Sequence, residues 1–432
     1  MTKLRYSITL LFVFFTISVS AQEVQGIVYD AESNEVIPYV NVVIDNTSRG
    51  TVSGPNGTFS LSIQGLDLNE IKLSFSSIGY QTHQQSIRLE SESTEAIEVY
   101  LKASEITLDE VVVTPLAPEE YIKRAIDQVS ENYPDSAFVC KGYFNEYLKE
   151  NKVYLKFSEG LMEMWHPPYG DTTATKVRIL NARAKRDLGQ LTFMRKKLDK
   201  MYDKEVKKEK EKALKGGEEW DNEEHQSIDQ ELLESSLGGP NVVTFIDPIY
   251  NMDEYLQEKH FKDFNYEISR FTEYQGQKVM VISFKSKRKI DHIKGHGEIY
   301  LDIDKDVIVA VKAKGKFYVP TLAKPVLFVM GVKVKSAVFQ KEVHYRNING
   351  NFYLSDFETY IELDLINLKM FSKNVPAKFE IEQHYFVSNI EKKAKPPFPK
   401  SQWMDIEKSM ESQAVFPYNE EMWEEYQSLR PW

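Results

Sequence analysis

The sequence predicts a mainly β protein: a small N-terminal β-sandwich followed by a larger antiparallel, curved β-sheet domain with a few helices. Short segments of alternating apolar and polar residues fill residues 23–114, and this period of two is typical of strands with one buried face. Longer alternating segments then occur in pairs around short polar turns, as in hairpins. Helical signals are confined to a few stretches, chiefly after Pro118 and near residue 205.

Residues 1–21 are typical of a signal peptide. Lys3 and Arg5 precede an apolar run from Ile8 to Val19, and Ala21 ends a group of small residues suited to cleavage. The run is shorter than the roughly 20 residues that a membrane-spanning helix needs. We therefore expect an exported protein that has no transmembrane helix after cleavage.

Charge and cysteine content exclude several classes of protein. The net charge of −11 becomes −13 when Lys3 and Arg5 leave with the signal peptide. Nucleic-acid binding depends on clustered basic residues, so no nucleic-acid partner is expected. Cys140 is the sole cysteine, which rules out an intrachain disulfide. Its apolar and aromatic neighbours predict a small buried side chain rather than a reactive thiol.

Residues 22–103 are predicted to form the sandwich. The inward-facing residues of four strands are Val40, Val42 and Ile44; Phe59, Leu61 and Ile63; Ile71, Leu73 and Phe75; and Ile97, Val99 and Leu101. Turn-forming residues separate these strands, and Asn56-Gly57 is a favoured tight-hairpin pair. About seven short strands in this arrangement are typical of a β-sandwich.

Five short motifs follow one another in this region: residues 26–30 (GIVYD), 38–42 (PYVNV), 50–51 (GT), 56–59 (NGTF) and 77–80 (SIGY). In this order they resemble the carboxypeptidase-regulatory-like domain, a prealbumin-like β-sandwich of Gram-negative envelope proteins. The resemblance implies a structural or docking module that contributes no zinc ligands. It also implies a location in the periplasm or at the periplasmic face of the outer membrane.

The predicted linker, residues 104–117, contains a second resemblance. Residues 108–114 (LDEVVVT) are similar to the segment that joins this sandwich to the plug of TonB-dependent outer-membrane receptors. After Pro115 only 317 residues follow, and Pro118 begins a helix where a plug would start. The strands of such a receptor alone need about 220 residues. A full receptor is therefore not expected, although a component related to this uptake stays an alternative.

Residues 118–395 are predicted to form the larger α+β domain. It begins with a short helix that places Ile122, Ala125, Ile126 and Val129 on one face, which we expect to pack on the sheet. The predicted hairpins and last strand are residues 138–148 with 153–165, 264–274 with 278–284, 297–303 with 307–314, 333–346 with 352–364, and 376–388. Hairpins joined in sequence predict an antiparallel meander.

Motifs in the same domain extend the family resemblance. They are residues 131–134 (ENYP), 141–146 (KGYFNE), 297–302 (GEIYLD) and 351–354 (NFYL). They resemble a group of uncharacterised envelope proteins that carry the regulatory-like sandwich in front of a β domain. A curved antiparallel sheet with a covering helix is also similar in architecture to the half-barrel of periplasmic lipoprotein carriers, although fold alone does not fix function.

Three other segments have their own predictions. In an insert over about residues 183–260, the mixed-sign run 204–212 predicts a solvated helix or partly disordered loop, and residues 228–237 predict a further short helix. The apolar residues 319–330 predict an edge strand, with a lid, a pocket wall or a membrane-contact loop as alternatives. In the C-terminal tail, residues 396–432, we expect the aromatic residues to fasten the tail to its domain. These are Trp403, Trp423, Tyr426 and Trp432.

Familiar catalytic constellations are missing from the sequence. It contains no H-E-x-x-H zinc motif, no G-x-S-x-G elbow and no phosphate-binding glycine motif. His292 and His296 fall in a glycine-interrupted connection and are predicted to be exposed loop histidines rather than metal ligands. Asp302 and Asp304 are predicted to cap a turn. We therefore predict no catalytic residue, no cofactor and no metal site.

Together these features favour a non-enzymatic accessory or binding protein of the periplasm or outer membrane. Its partner would be a lipid-like, apolar ligand or another envelope protein. The alternatives are an envelope hydrolase with an unrecognised site and a component related to TonB-dependent uptake. A deep pocket lined by converging acids or histidines would favour the hydrolase, whereas an apolar concave sheet would favour binding.

Overall fold

The computed structural model describes most of the chain after the first 22 residues. The described residues are 23–66, 69–88, 96–104, 116–171, 173–187, 190–193, 195–216, 239–321, 323–329, 331–368, 374–406 and 408–429. The predicted signal peptide, most of the predicted linker, residues 228–237 and Trp432 lie outside these ranges.

The N-terminal part is the predicted β-sandwich. Its strands are β1 (Glu23–Asp30), β2 (Asn41–Ile44), β3 (Gly50–Val52), β4 (Thr58–Ser62), β5 (Glu70–Ser76), β6 (His83–Arg88) and β7 (Ile97–Leu101). One sheet has the order β4-β1-β7 and the other has the order β3-β2-β5-β6. All of the inward-facing residues predicted above lie in the shared core, with Ile97 at its margin. Alternation along each strand therefore predicted this core correctly.

A ten-stranded antiparallel sheet forms the larger part. Its strands are β8 (Phe138–Glu150), β9 (Val153–His166), β10 (Lys176–Arg186), β11 (Phe264–Tyr274), β12 (Gln277–Ser286), β13 (Ile293–Asp302), β14 (Val307–Phe317), β15 (Val332–Ile348), β16 (Asn351–Asn367) and β17 (Val375–Lys392). Every predicted hairpin is present. The prediction of a mainly β fold with a large antiparallel sheet is confirmed.

The order of strands in this sheet differs from a simple meander. The order is β10-β9-β8-β17-β16-β15-β14-β13-β12-β11. The first strand, β8, therefore pairs with the last strand, β17, inside the sheet, as its third and fourth strands. As a consequence β10 and β11, which are consecutive in sequence, form the two opposite edges. The chain between them has to cross the full width of the sheet.

Two sequence predictions need correction. Strand β10 was not predicted. The predicted start of the charged insert, residue 183, therefore falls inside this strand, and the connection to β11 begins after Arg186. Residues 319–330 do not form an edge strand, because residues 323–329 are helical. They only bridge the adjacent antiparallel strands β14 and β15. Pro325 is compatible with this helix because it lies in the first turn, where a backbone N–H has no partner within the helix.

The helices are short apart from one. Among the described residues they are α1 (Pro118–Asp127), α2 (Val129–Asn132), α3 (Arg195–Gly216) and α4 (Ala323–Val329). Of the predicted apolar face, Ile122 and Ala125 are buried in the main core, and Ile126 and Val129 pack against it partly buried; Tyr121 is buried as well. The mixed-sign run lies in helix α3, so of the two predicted forms, a solvated helix or a partly disordered loop, it takes the helical one. Within the described ranges, no helix is both long and apolar enough to cross a membrane.

The C-terminal tail covers the β10 edge of the sheet. The N–H groups of Met404, Val415 and Phe416 donate to the carbonyl oxygens of Val177, Ile179 and Leu180. An exposed strand edge is a site for unwanted pairing with other chains, so this cover protects it. A final 3-10 helix, Glu420–Leu429, then buries the aromatic residues Trp423 and Tyr426. The prediction that aromatic residues fasten the tail is confirmed for these two.

Glycines on β13 and β14 let aromatic rings lie flat on the inner face of the sheet. A Cβ atom added at Gly297 would lie 2.1 Å from the Lys312 carbonyl oxygen and 2.7 Å from Cζ of Phe284. At Gly315 it would lie 2.9 Å from the ring of Phe339. Glycine within a strand often marks such a close approach. These positions let the rings that line the inner face approach the backbone.

We expect Gly297→Ala to destabilise the protein by about 1–3 kcal/mol, because the added methyl group overpacks the contact between β13 and Phe284. Equilibrium denaturation in urea, followed by circular dichroism, measures the change. Gly216→Ala is the control, because no atom lies within 4 Å of its added Cβ. Equal midpoints for the two variants would show that the close approach at Gly297 has no structural importance.

Candidate functional site

The connection from β10 to β11 ends in a covering segment, residues 239–263, that lies across the inner face of the sheet. It includes three 3-10 helices: Pro240–Thr244, Glu254–Leu256 and Glu258–Asp263. Its contacts move along the sheet in order, from β8 and β17 through β15 to β12. This path is what the edge positions of β10 and β11 require.

A buried polar cluster attaches the start of the covering segment. Glu146 is fully buried and accepts hydrogen bonds from the N–H of Gly239, from Gln383 at 2.7 Å and from Lys156 at 3.2 Å. Thr359 donates to Gln383 at 2.9 Å. A buried carboxylate is tolerated only when its oxygens are satisfied in this way. The cluster fixes residue 239 against the strands.

Asp247 attaches the middle of the segment. Its carboxylate is buried and accepts hydrogen bonds from the hydroxyls of Tyr169 at 2.6 Å and Tyr345 at 2.5 Å. It also accepts the backbone N–H groups of Ile249 and Tyr250. Four donors around one carboxylate are a rigid connection, because loss of any one leaves a buried charge less compensated.

Between the covering segment and the sheet lies a cavity of about 540 Å³. Its lining is mainly apolar and aromatic. From the sheet come Phe284, Ile293, Ala313, Phe317, Phe339 and Ile361; from the covering segment come Val242, Phe245, Ile246 and Tyr255; and from the tail comes Ile406. Among the polar residues of its wall, Thr359 and Gln383 belong to the buried cluster around Glu146. Concave, mainly apolar pockets of this size are typical of small-molecule sites.

The rim of the cavity leaves large apolar side chains in solvent. Phe245 is 57% exposed, Phe317 is 40% exposed and Ile406 is 67% exposed. From Ile361 the apolar surface continues along β15 and β16 through the half-buried residues Val332, Leu363 and Leu365. The cavity therefore opens onto an apolar strip instead of ending at a polar wall.

The outer face of the same sheet is different in character. A groove of about 960 Å³ lies there, beside Tyr39 of the sandwich, and charged side chains of both signs line it. Two contacts join members of this lining: Lys312 pairs with Glu342 at 2.5 Å, and His384 lies 3.8 Å from Glu358. Strand alternation therefore separates an apolar inner face from a charge-balanced outer face.

The sandwich packs on this outer face around a buried histidine. His344 lies between two carboxylates, with Nδ1 at 2.6 Å from Asp356 and Nε2 at 3.0 Å from Glu342. Asn41 of the sandwich donates to Asp356 at 3.3 Å and to the Tyr274 hydroxyl at 3.1 Å. A polar cluster thus joins the two parts of the chain.

The two carboxylates change the ionisation of this cluster. Burial by itself would lower the pKa of His344, but the charge of Asp356 and the hydrogen bonds to both acids raise it to about 10. Burial likewise opposes the charge on Glu342, yet His344 and Lys312 lower the pKa of Glu342 to about 2. His344 is therefore a cation at neutral pH, and the cluster is a structural ion-pair network.

Of the residues singled out in the sequence, His296 lies in the cavity wall and the others lie outside it. Cys140 is buried, and burial raises the pKa of its thiol to about 12, so it packs as an apolar residue. His292 lies in a turn and His296 on β13, both exposed. Asp302 accepts the backbone N–H groups of Asp304 and Lys305, which confirms its role in capping the turn. Across the described residues, no group of three or more acids, histidines or cysteines could hold a metal ion.

Sequence reasoning missed the residues that build the cavity from above. Val242, Phe245 and Ile246 lie inside the predicted insert, for which the sequence analysis considered mainly the charged run 204–212. The signal was present, because residues 242–250 (VVTFIDPIY) form an apolar and aromatic cluster around one acid. Such a cluster within a charged connection indicates a segment that packs on a core.

We expect His344→Gln to lower the melting temperature by an amount that depends on pH. The pKa of His344 is raised from 6.5 to about 10 on folding, so its stabilisation is complete below pH 6.5 and is lost as the pH rises to about 10. Thermal melts of both proteins across this range should therefore converge at the alkaline end. His296→Gln is the control, and a constant difference between wild type and His344→Gln would contradict the assignment of a charged His344.

Solved structures with some similarity to the chain come from several bacteria. A domain described as an outer membrane lipoprotein-sorting protein from Vibrio parahaemolyticus has 10% identity and a TM-score of 0.23, covering 66% of this chain and 95% of its own. A DUF1329 family protein from Desulfovibrio piger has 9% identity and a TM-score of 0.22, with coverages of 66% and 96%. A LolA superfamily protein from Nitrosomonas europaea has 10% identity and a TM-score of 0.21, with coverages of 65% and 96%. These TM-scores are too low to establish a shared fold.

Comparison at the level of sequence gives one positive result. No curated protein matches the chain. A family model does match its N-terminal part, over residues 24–113. The resemblance stated from five motifs is thereby confirmed, and the N-terminal β-sandwich is a CarboxypepD_reg-like domain.

Proposed function

We propose that the protein is a non-enzymatic binding protein of the cell envelope that holds an apolar, lipid-like ligand on the inner face of its large sheet. The observation that carries this proposal is the cavity of about 540 Å³ beneath the covering segment. Its aromatic and aliphatic lining would favour an apolar molecule through burial of apolar surface. The exposed rim residues would extend the contact outside the cavity.

The polar groups near the cavity support binding rather than hydrolysis. Lys341 is paired with Asp253, and Gln383 is paired with Glu146 and Thr359. A hydrolytic site would need a nucleophile or an activated water with a base in hydrogen-bond reach. The polar groups named here instead attach the covering segment to the sheet. The wall also contains Glu254, Ser286 and His296, and an ester-hydrolysis assay therefore tests the hydrolase alternative directly.

The arrangement of the two parts fits a role for the sandwich in positioning the protein on a partner in the envelope. We propose that the sandwich over residues 22–103 and the domain over residues 118–395 are separate folding units. The sandwich packs on the outer face through Asn41 and through Tyr39, whose ring stacks on His384 at 5.4 Å. The cavity opens on the other face, so a partner could hold the sandwich without blocking the ligand. Export by the predicted signal peptide would place both in the periplasm or at the periplasmic face of the outer membrane.

Binding of the fluorescent fatty acid parinaric acid tests the proposal. We expect saturable binding to the chain without its predicted signal peptide, and Phe339→Glu should weaken it at least about tenfold because a charge enters an apolar cavity. Val338→Glu is the matched control. Val338 precedes Phe339 on β15, so it faces the opposite side of the sheet.

Three results would contradict the proposal. Wild type that binds no parinaric acid would show that the cavity does not accept an apolar chain. Equal weakening by Phe339→Glu and Val338→Glu, with unchanged circular dichroism, would place the binding elsewhere. Saturable release of p-nitrophenol from a fatty p-nitrophenyl ester would favour the hydrolase alternative.

A further inference from the structure

The connection between β14 and β15 presents an apolar helix in solvent at one end of the sheet. In α4, Phe328 is 71% exposed, which makes it the most exposed large apolar side chain among those described. Phe317, the last residue of β14, is 40% exposed and lies just before this helix. An exposed apolar patch bordered by polar residues is typical of a surface that contacts a protein or a membrane.

The same part of the chain is strongly basic. Between residues 307 and 341 the sequence has no aspartate or glutamate and seven lysines: Lys312, Lys314, Lys316, Lys324, Lys333, Lys335 and Lys341. This concentration occurs in a chain whose net charge is −11. Lys324, Lys333 and Lys335 are exposed, and among the described residues no carboxylate forms an ion pair with them. Their charges are therefore available to an anionic surface.

The basic, apolar end of the sheet is also where the cavity opens. Phe317 belongs to the cavity rim and leads directly into the α4 connection. The apolar strip on β15 and β16 runs from Ile361 to Leu365 and Val332, beside the start of β15, which α4 contacts. A ligand leaving the cavity along this strip would emerge next to α4.

We propose that this end of the sheet, formed by α4 and the flanking lysines of β14 and β15, docks on the surface of an anionic phospholipid bilayer. Phe328 would enter the boundary between headgroups and acyl chains, and Lys324, Lys333 and Lys335 would lie at the level of the anionic headgroups. Apolar insertion together with basic residues is the combination that gives peripheral membrane binding. The proposal deepens the proposed function, because docking here would let a lipid-like ligand pass between the bilayer and the cavity.

A membrane fits this surface better than a protein partner does. The large apolar side chains exposed here are Phe317 and Phe328, which is a small area for a stable protein interface. The charge is of one sign over a continuous stretch of chain, which matches a lipid surface of uniform negative charge. The remainder of the acidic protein would be repelled by such a surface, so the charge also sets the orientation.

Co-sedimentation with lipid vesicles tests the docking. We expect the chain without its predicted signal peptide to sediment with vesicles of equal parts phosphatidylglycerol and phosphatidylcholine, and to stay in the supernatant with phosphatidylcholine alone. The triple variant Lys324→Glu, Lys333→Glu, Lys335→Glu should lower binding at least about tenfold. Phe328→Ser should lower vesicle binding as well. Added salt should weaken the electrostatic part of vesicle binding.

Matched controls lie at the opposite end of the sheet and in the tail. Strand β17 starts at the α4 end of the sheet, beside the end of β16, and finishes at the opposite end with Lys392. The triple variant Lys392→Glu, Lys393→Glu, Lys395→Glu therefore makes the same charge change far from α4. Phe416→Ser removes a different exposed phenylalanine, which is 48% exposed. Neither control should change vesicle binding.

The outcomes separate docking from ligand binding. Parinaric acid binding measured without vesicles reports the cavity alone, and the α4 variants should keep it. Wild type that sediments with neither vesicle would overturn the docking, even if parinaric acid binds. Equal loss of vesicle binding in the α4 variants and their controls would also overturn it. Vesicle binding without any parinaric acid binding would support docking while contradicting the proposed function.

Discussion

The pairing of β8 with β17 is the constraint on which the rest of this structure depends. These strands are the first and last of the large sheet, and their backbone ladder runs from Phe138 with Lys392 to Glu150 with Phe379. Because they pair inside the sheet, β10 and β11 become the edges. Nine spacings of about 4.8 Å separate two edges in a ten-stranded sheet. The last part of the connection, residues 239–263, lies over the inner face and becomes the roof of the cavity.

Buried charges hold the crossing segment in place on an otherwise apolar face. Glu146 and Asp247 are both inside the protein, where an isolated carboxylate would be strongly unfavourable. Each is surrounded by donors from elements far apart in sequence, such as Gln383 for Glu146 and Tyr345 for Asp247. Removing these donors would cost more than a simple hydrogen bond, because a charge would be left unpaired. The cavity therefore exists between two surfaces that are fixed to each other.

Local sequence pattern predicted the strands well and failed where the pattern is interrupted. The sandwich core and all the hairpins follow from alternation, because successive side chains of a strand point to opposite faces. Strand β10 was missed because its register shifts between Ile179 and Asn181. This bulge places Ile179 and Leu180 side by side and breaks the period of two. Helix α4 was mistaken for a strand because a short apolar run has no distinct periodicity.

By itself the sequence determined which residues form strands, which faces of those strands are apolar and that a regulatory-like sandwich begins the chain. These properties depend on neighbours within a few residues. Only the tertiary structure decided that β8 lies beside β17, that residues 239–263 cover the inner face and that Phe317 and Phe328 lie at the same open end. The physical reason is that strand partners and buried donors come from distant parts of the chain, as Glu146 and Gln383 do across 237 positions. Local periodicity has no information about such distant pairs.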